Sequence, residues 1–146
     1  MIFREIEKAD IDDILAIRTS TRENSFSMED LAGIGVTPQS VAAWLEGAIR
    51  GWLCETDGIP AGFAMGDSAT AEVLVLAVRP EYEGRGVGKG LMIRLQEWLW
   101  TFGHRELWLW SNPDSRVRAH GFYRIIGWYP AGEVKGNNEM LKLKKP

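Results

Sequence analysis

The sequence is poor in cysteine and histidine: among its 146 residues there is one of the first and two of the second. The lone Cys54 rules out an internal disulfide and fits a reducing, cytoplasmic setting. It lies in the middle of a strand-like run with no histidine nearby, so it reads as a small buried hydrophobe, not a nucleophile. So few soft ligands leave little from which to build a catalytic metal site. Long hydrophobic runs are missing too. The longest aliphatic stretch, 73–78, falls far short of the ~20 residues of a membrane helix. The opening residues Met1 to Glu5 lack the basic-then-apolar order of a secretion signal. Positive charge is not in excess: the net charge of −3 speaks against nucleic acid as the main partner. No repeat, low-complexity tract or shift in composition marks a second domain, so residues 1–146 read as one domain, long enough to bury a core without staples.

What is present in abundance is tryptophan, with seven residues, and glycine, with sixteen. "IFRE" reads as a short strand. Ile11, Ile14, Leu15 and Arg18 fall at helical spacing behind Asp10 as N-cap. Residues 20–36 are polar and weakly patterned, a loop or broken helix. Thr37-Pro38 is a helix start signal ahead of Val41, Trp44, Leu45 and Ala48. Asp57-Gly58 between two apolar runs signals a hairpin. "AEVLVLAV" and "ELWLWSN" are apolar on both faces and read as covered strands, with Trp108 and Trp110 on one face of the second. Leu91, Met92, Leu95, Trp98, Leu99 and Phe102 form a helical stripe stopped by Gly103. "RVRAHGFYRII" reads as a helix stacking Val117, Gly121 and Ile125. Two last strands, "GWYP" and "EMLKLK", flank a loop at 131–138. The order β-α-α-β-β-β-α-β-α-β-β predicts an α/β (α+β) domain: a mixed, mostly antiparallel sheet of about seven strands with about four helices on its faces.

Residues 83–92, "EGRGVGKGLM", place four glycines at alternate positions just before a helix. A helix start leaves backbone N–H groups without partners and carries about half a positive charge. A loop without Cβ atoms lets an anion reach them, and Arg85 and Lys89 add charge, which is the arrangement that holds phosphate. The common nucleotide motifs do not fit. A P-loop needs Gly and Ser/Thr where Glu83 and Gly90 stand, and the dinucleotide fingerprint meets Lys89 or Leu91 at its third glycine.

"VRPEYEGRGVGKGLM" resembles the acyl-CoA-binding signature of the GNAT superfamily of N-acyltransferases, Gln/Arg-x-x-Gly-x-Gly/Ala. Gly86 and Gly88 match, and Glu83 stands where that family has Gln or Arg. The likeness extends through "AEVLVLAV" and through "SNPDSRVRAHGFYRIIGW", which ends in Phe-Tyr-x-x-x-Gly-aromatic. It covers nearly the whole chain and is weakest over 20–50. The resemblance implies that the backbone of Arg85, Gly86, Val87, Gly88, Lys89 and Gly90 holds the coenzyme A pyrophosphate. It implies that the free edge at Leu76, Ala77 and Val78 binds the pantetheine arm and the thioester carbonyl. Tyr123 takes the general-acid position, and Glu72 that of a base acting directly or through water, with His120 as the alternative. Asn112 is implied as a coenzyme contact. Arg116, where the family has Asn, serves a phosphate or faces water. The implied activity is transfer of acetyl from acetyl-CoA, the co-substrate, to an amine by direct attack in a ternary complex, without metal. The acceptor is a small molecule or peptide met by 20–36 and 131–138, whose Glu23, Glu29, Asp30 and Glu133 favour a cationic amine. The alternative is a non-catalytic acyl-CoA sensor on the same fold. A homodimer is compatible with the antiparallel end strands and the abundant tryptophan.

Overall fold

The computed structural model describes residues 1–21, 27–113 and 118–146; Glu23, Arg116, Val117 and the His120 side chain lie outside the described residues. Asp57 and Gly58 take φ of 53° and 75°, the two positive angles of a two-residue hairpin turn. The sheet begins with β1 (Ile2–Glu5), which pairs with β2 (Ile49–Thr56); that turn folds β2 onto β3 (Ile59–Asp67), and β4 (Glu72–Val78) follows, all antiparallel. After a crossover, β5 (Glu106–Ser111) joins β4 in parallel. A final hairpin of β6 (Tyr129–Lys135) and β7 (Asn138–Lys144) adds on through β7. The order β1-β2-β3-β4-β5-β7-β6 is the expected mixed, mostly antiparallel sheet of an α/β domain.

Five helices accompany it: α1 (Ile11–Ser20), α2 (Met28–Gly33), α3 (Pro38–Glu46), α4 (Val87–Trp100) and α5 (Arg118–Ile125). The fifth, beyond the four expected, is α2, held at its start by a reciprocal cap. The Ser27 hydroxyl accepts the Asp30 N–H at 3.0 Å, and the Asp30 carboxylate accepts the Ser27 N–H at 3.0 Å, two orphan donors satisfied together. Thr37 caps α3 as expected, accepting the Ser40 N–H at 3.1 Å. Asp10 precedes α1 but does not cap it: its carboxylate accepts two Arg4 guanidinium bonds at 2.7 and 2.8 Å and the Glu7 N–H at 2.8 Å. The expected loop at 131–138 is mostly strand, since β6 runs to Lys135 and pairs Val134 with Glu139 before turning at Gly136.

Each sheet face buries its own apolar cluster. On one, α4 presents Leu91, Met92, Leu95 and Leu99 to Ala64, Val73, Leu107 and Leu109; each such leucine contributes about 1.5–3 kcal/mol of burial. On the other, Ile14, Leu15, Leu31 and Val41 from the first three helices cover Leu53, Phe63 and Met65. The stripe expected on α5 is not its inner face: Ile125 is 86% exposed, whereas Phe122 and Tyr123 turn inward. Gly127 (φ 104°) ends that helix, and the Trp128 N–H donates to the Tyr123 carbonyl at 3.0 Å. Trp128 thereby packs on Tyr123, ring centroids 6.1 Å apart. Neither β4 nor β5 is covered on both faces: Leu74 is 40% exposed, and Trp108 and Trp110 are half-buried. Leu74 and Trp110 are exposed to the cleft described next.

Candidate functional site

Parallel strands β4 and β5 share one ladder pair, Glu72 opposite Trp108, secured by the Trp108 N–H donating to the Ala71 carbonyl at 3.2 Å. The cause lies in the register of β3 with β4. Met65 faces Val75 and the next residue, Gly66, faces Val73, so Leu74 is an extra residue in the ladder. A bulge bends its strand, and β4 leaves β5 from Leu74 onward while β5 stays zipped to β7 from Glu106 to Ser111. The β4 edge facing the gap finds no strand partner among the described residues. Into this gap opens a cavity of about 590 Å³, walled by residues 73–78 on one side and 109–112 on the other. Gly84, residues 86–89, Phe122 and Tyr123 also line it. An apolar strand here turns an unpaired backbone edge to the cavity.

The four alternating glycines serve two different ends. Gly84 (φ 74°) and Gly86 (φ 86°) occupy the left-handed region, which costs other L-residues about 1–2 kcal/mol. Gly86 is also the residue from which α4 starts, and the first helical bond runs from the Gly90 N–H to the Gly86 carbonyl at 3.0 Å. The N–H groups of Val87, Gly88 and Lys89 therefore precede the helical ladder and stand in the cavity wall. Gly88 and Gly90 are small for packing. A Cβ on Gly88 would lie 3.3 Å from the Phe122 ring, and one on Gly90 would lie 2.3 Å from the Phe3 ring. Gly90, expected in the anion cradle, does not line the cavity. Arg85 is likewise outside the lining: it is exposed, and its guanidinium sits 5.4 Å from the centre of the Tyr82 ring. Lys89 is the cation of this loop that lines the cavity.

Leu76, Ala77, Val78 and Asn112 all line the cavity. Tyr123 does too: it is 8% exposed and held between Phe122 (5.3 Å) and Trp128. Burial pushes its phenol well above the usual range, so it stays protonated and keeps a proton to donate. Among the described residues nothing hydrogen-bonds its hydroxyl. Glu72 is not in the lining. It sits one residue before Val73, where β4 and β5 are still paired, its carboxyl pushed up by burial and by Asp67 and pulled down less by Lys135. The acidic residues expected to meet the acceptor do not line it either: Asp30 caps α2, and Glu29 and Glu133 lie elsewhere. Of the two strand tryptophans, Trp110 lines the cavity, whereas Trp108 bonds the Thr70 carbonyl at 2.8 Å.

Arg18, Asn138 and Ser111 are among the lining residues that the sequence reading did not assign to the site. Ser111 is 6% exposed, and among the described residues its hydroxyl has no hydrogen-bond partner. A buried orphan hydroxyl is rare and costly, and this one stands in the cavity wall. Only its place as the last residue of an alternating strand, facing the same way as Leu107 and Leu109, pointed there. Cys54 is fully buried and its thiol is pushed up by that burial, as befits a packing residue. Among the described residues no three His, Cys, Asp or Glu side chains are grouped to hold a metal, and no helix is long and apolar enough to cross a membrane.

A family model described as the acetyltransferase (GNAT) family matches residues 12–128. The chain belongs to this family. An uncharacterized N-acetyltransferase of Methanocaldococcus jannaschii is 30% identical over 100 residues, 62% of this chain and 44% of that protein; the chain thus spans less than half the length of this curated relative. In fold, this GNAT domain is similar to the PaiA N-acetyltransferase of Thermoplasma acidophilum, solved with coenzyme A: TM-score 0.83, 16% identity, 99% of this chain and 100% of that one. YncA of Salmonella typhimurium, solved with acetyl-CoA, is similar at a TM-score of 0.72, with 19% identity and coverage of 99% and 93%.

Proposed function

We propose that this chain transfers the acetyl group of acetyl-CoA to a primary amine by direct attack. One observation carries this reading: a single cavity links the partnerless amides at the start of α4, the open edge of β4 and the unengaged Tyr123 hydroxyl. The coenzymes in the PaiA and YncA structures support it. The amides of Val87, Gly88 and Lys89 take the pyrophosphate, favoured by the helix dipole. The β4 edge from Leu76 to Val78 pairs with the amides of the pantetheine arm as an added strand would, and the Ser111 hydroxyl gains there the partner it lacks.

The thioester supplies an activated acetyl group. A β4 amide polarises its carbonyl, and a preorganised donor of this kind acts on charge as it develops. The amine nitrogen forms the new C–N bond as the C–S bond breaks. The amine proton leaves to Glu72 through a water, since the raised carboxyl lies beyond the lining, and Tyr123 gives its proton to the departing sulfur. The place of Glu72 outside the cavity also favours a second reading, an acyl-CoA sensor without turnover. Thiol release from acetyl-CoA across a panel of primary amines, with a thermal shift by coenzyme A run alongside, separates the two. Acetyl transfer predicts both signals. A thermal shift with no thiol release from any amine selects the sensor.

A further inference from the structure

A second cavity, of about 320 Å³, lies between the sheet and the first three helices. Every lining side chain but Arg18 is apolar, drawn from α1 (Ile14, Leu15), the α2–α3 region (Val36, Trp44) and the sheet (Phe63, Leu74, Val75). Arg18, Leu74 and Val75 also line the coenzyme cleft, so the two spaces meet across the β4 bulge. The bulge that opens the cleft toward β5 thus also gives Leu74 to this second space. At the roughly 30 Å³ that a water takes in the liquid, it has room for about ten non-hydrogen atoms. An empty apolar space of that size weakens a core, whereas apolar cavities accept apolar guests and stay dry otherwise.

We infer that this cavity holds the body of the acceptor, and that the acceptor is a primary amine carrying an aliphatic or aromatic group of about six to ten carbons. The assignment of an amine rests on the acetyl-transfer reading; the apolar body rests on the cavity. With that body in place the amine lies at the junction with the coenzyme cleft, beside Leu74 and Val75. Apolar surroundings disfavour the ammonium form, so the site itself helps deliver the neutral nucleophile that Glu72, outside the lining, reaches only through water. A polyamine fits poorly, because its second ammonium would enter an apolar space with no carboxylate among the described residues that line it.

The test is calorimetric binding of 2-phenylethylamine, ethylamine and spermidine to the full chain loaded with coenzyme A, with thiol release measured separately using acetyl-CoA. The cavity predicts at least tenfold tighter binding of 2-phenylethylamine than of the other two. Val36→Trp, which fills the space from a half-buried position, removes that advantage while the thermal shift by coenzyme A persists. Equal or tighter binding of ethylamine or spermidine overturns the inference, as does an advantage that survives Val36→Trp. Should Val36→Trp not fold, the three wild-type affinities decide alone. Preferential binding of 2-phenylethylamine without thiol release from any amine leaves the apolar site standing and removes acetyl transfer. Thiol release with spermidine and no apolar preference does the reverse.

Discussion

Substituting alanine at Gly86 and at Gly90 separates the two reasons for glycine in the loop before α4. At Gly86 a Cβ meets open space, so the whole cost is backbone: φ is 86°, and an L-residue there loses about 1–2 kcal/mol. At Gly90 the backbone is helical and alanine is favoured by about 1 kcal/mol of propensity, but the new methyl stands 2.3 and 2.6 Å from two Phe3 ring carbons. Phe3 is backed by the Arg94 guanidinium, 4.0 Å from the ring centre, so the ring does not yield freely and overpacking costs about 1–3 kcal/mol. The net loss for Gly90→Ala is about 0–2 kcal/mol. The two differ in rescue. Adding Phe3→Leu frees space for the Gly90 methyl and lets the propensity gain emerge, giving a coupling of about 1–2 kcal/mol in a double-mutant cycle. The same change leaves Gly86→Ala unaffected. Urea unfolding measures all six proteins, and a thermal shift by coenzyme A reads the cradle: lost or weakened in Gly86→Ala, retained in Gly90→Ala. Zero coupling between Gly90 and Phe3, or loss of coenzyme binding in Gly90→Ala alone, would refute this reasoning.

Tyr123→Phe lowers kcat about 100-fold with the acetyl-CoA affinity held within about threefold; an unchanged kcat in steady-state thiol release removes the acid role. Because burial raises the Tyr123 phenol, its deprotonation contributes no falling limb to the wild-type rate profile up to about pH 10, and a loss of rate near pH 8 that vanishes in the Phe variant contradicts this. Ser111→Ala deletes a buried hydroxyl that has no partner; urea unfolding should show it neutral or stabilising, while the coenzyme dissociation constant rises about fivefold, equivalent to about 1 kcal/mol. A destabilised Ser111→Ala with unaltered affinity would show a structural role instead. Arg4 and the Glu7 amide hold the Asp10 carboxyl below its usual range, so its contribution is complete above about pH 5 and lost as pH falls below about 4. Asp10→Asn, measured by thermal unfolding, costs about 2 kcal/mol at pH 7, and its difference from wild type shrinks toward pH 3; a difference constant with pH refutes the pairing.

The strands and long helices were legible because their signals are local. Asp57-Gly58 dictates its turn, Thr37-Pro38 its helix start, and the Leu91–Leu99 stripe its buried face. The glycine loop before α4 was legible for a reason half right. Gly84 and Gly86 are backbone choices readable from spacing, but Gly88 and Gly90 answer to Phe122 and Phe3, from distant parts of the chain, and no local pattern shows that contact. The bulge at Leu74 is invisible for the same reason: it exists only in the register of β4 against β3, and it makes an apolar strand line a cleft. Apolar periodicity on α5 chose Ile125 over Tyr123 because the stripe with Gly121 looked regular; packing against Trp128 decided otherwise. Glu72 stood at a suggestive position along the chain, yet its strand is still paired to β5 at that point, which keeps it out of the lining.

A crystal structure with bound acetyl-CoA tests the central claim most directly. The account predicts the pyrophosphate within about 3 Å of the Val87, Gly88 and Lys89 amides, the pantetheine arm along Leu76–Val78 and the sulfur beside the Tyr123 hydroxyl. A coenzyme whose pyrophosphate lies away from the start of α4, or whose arm leaves the β4–β5 gap empty, contradicts it.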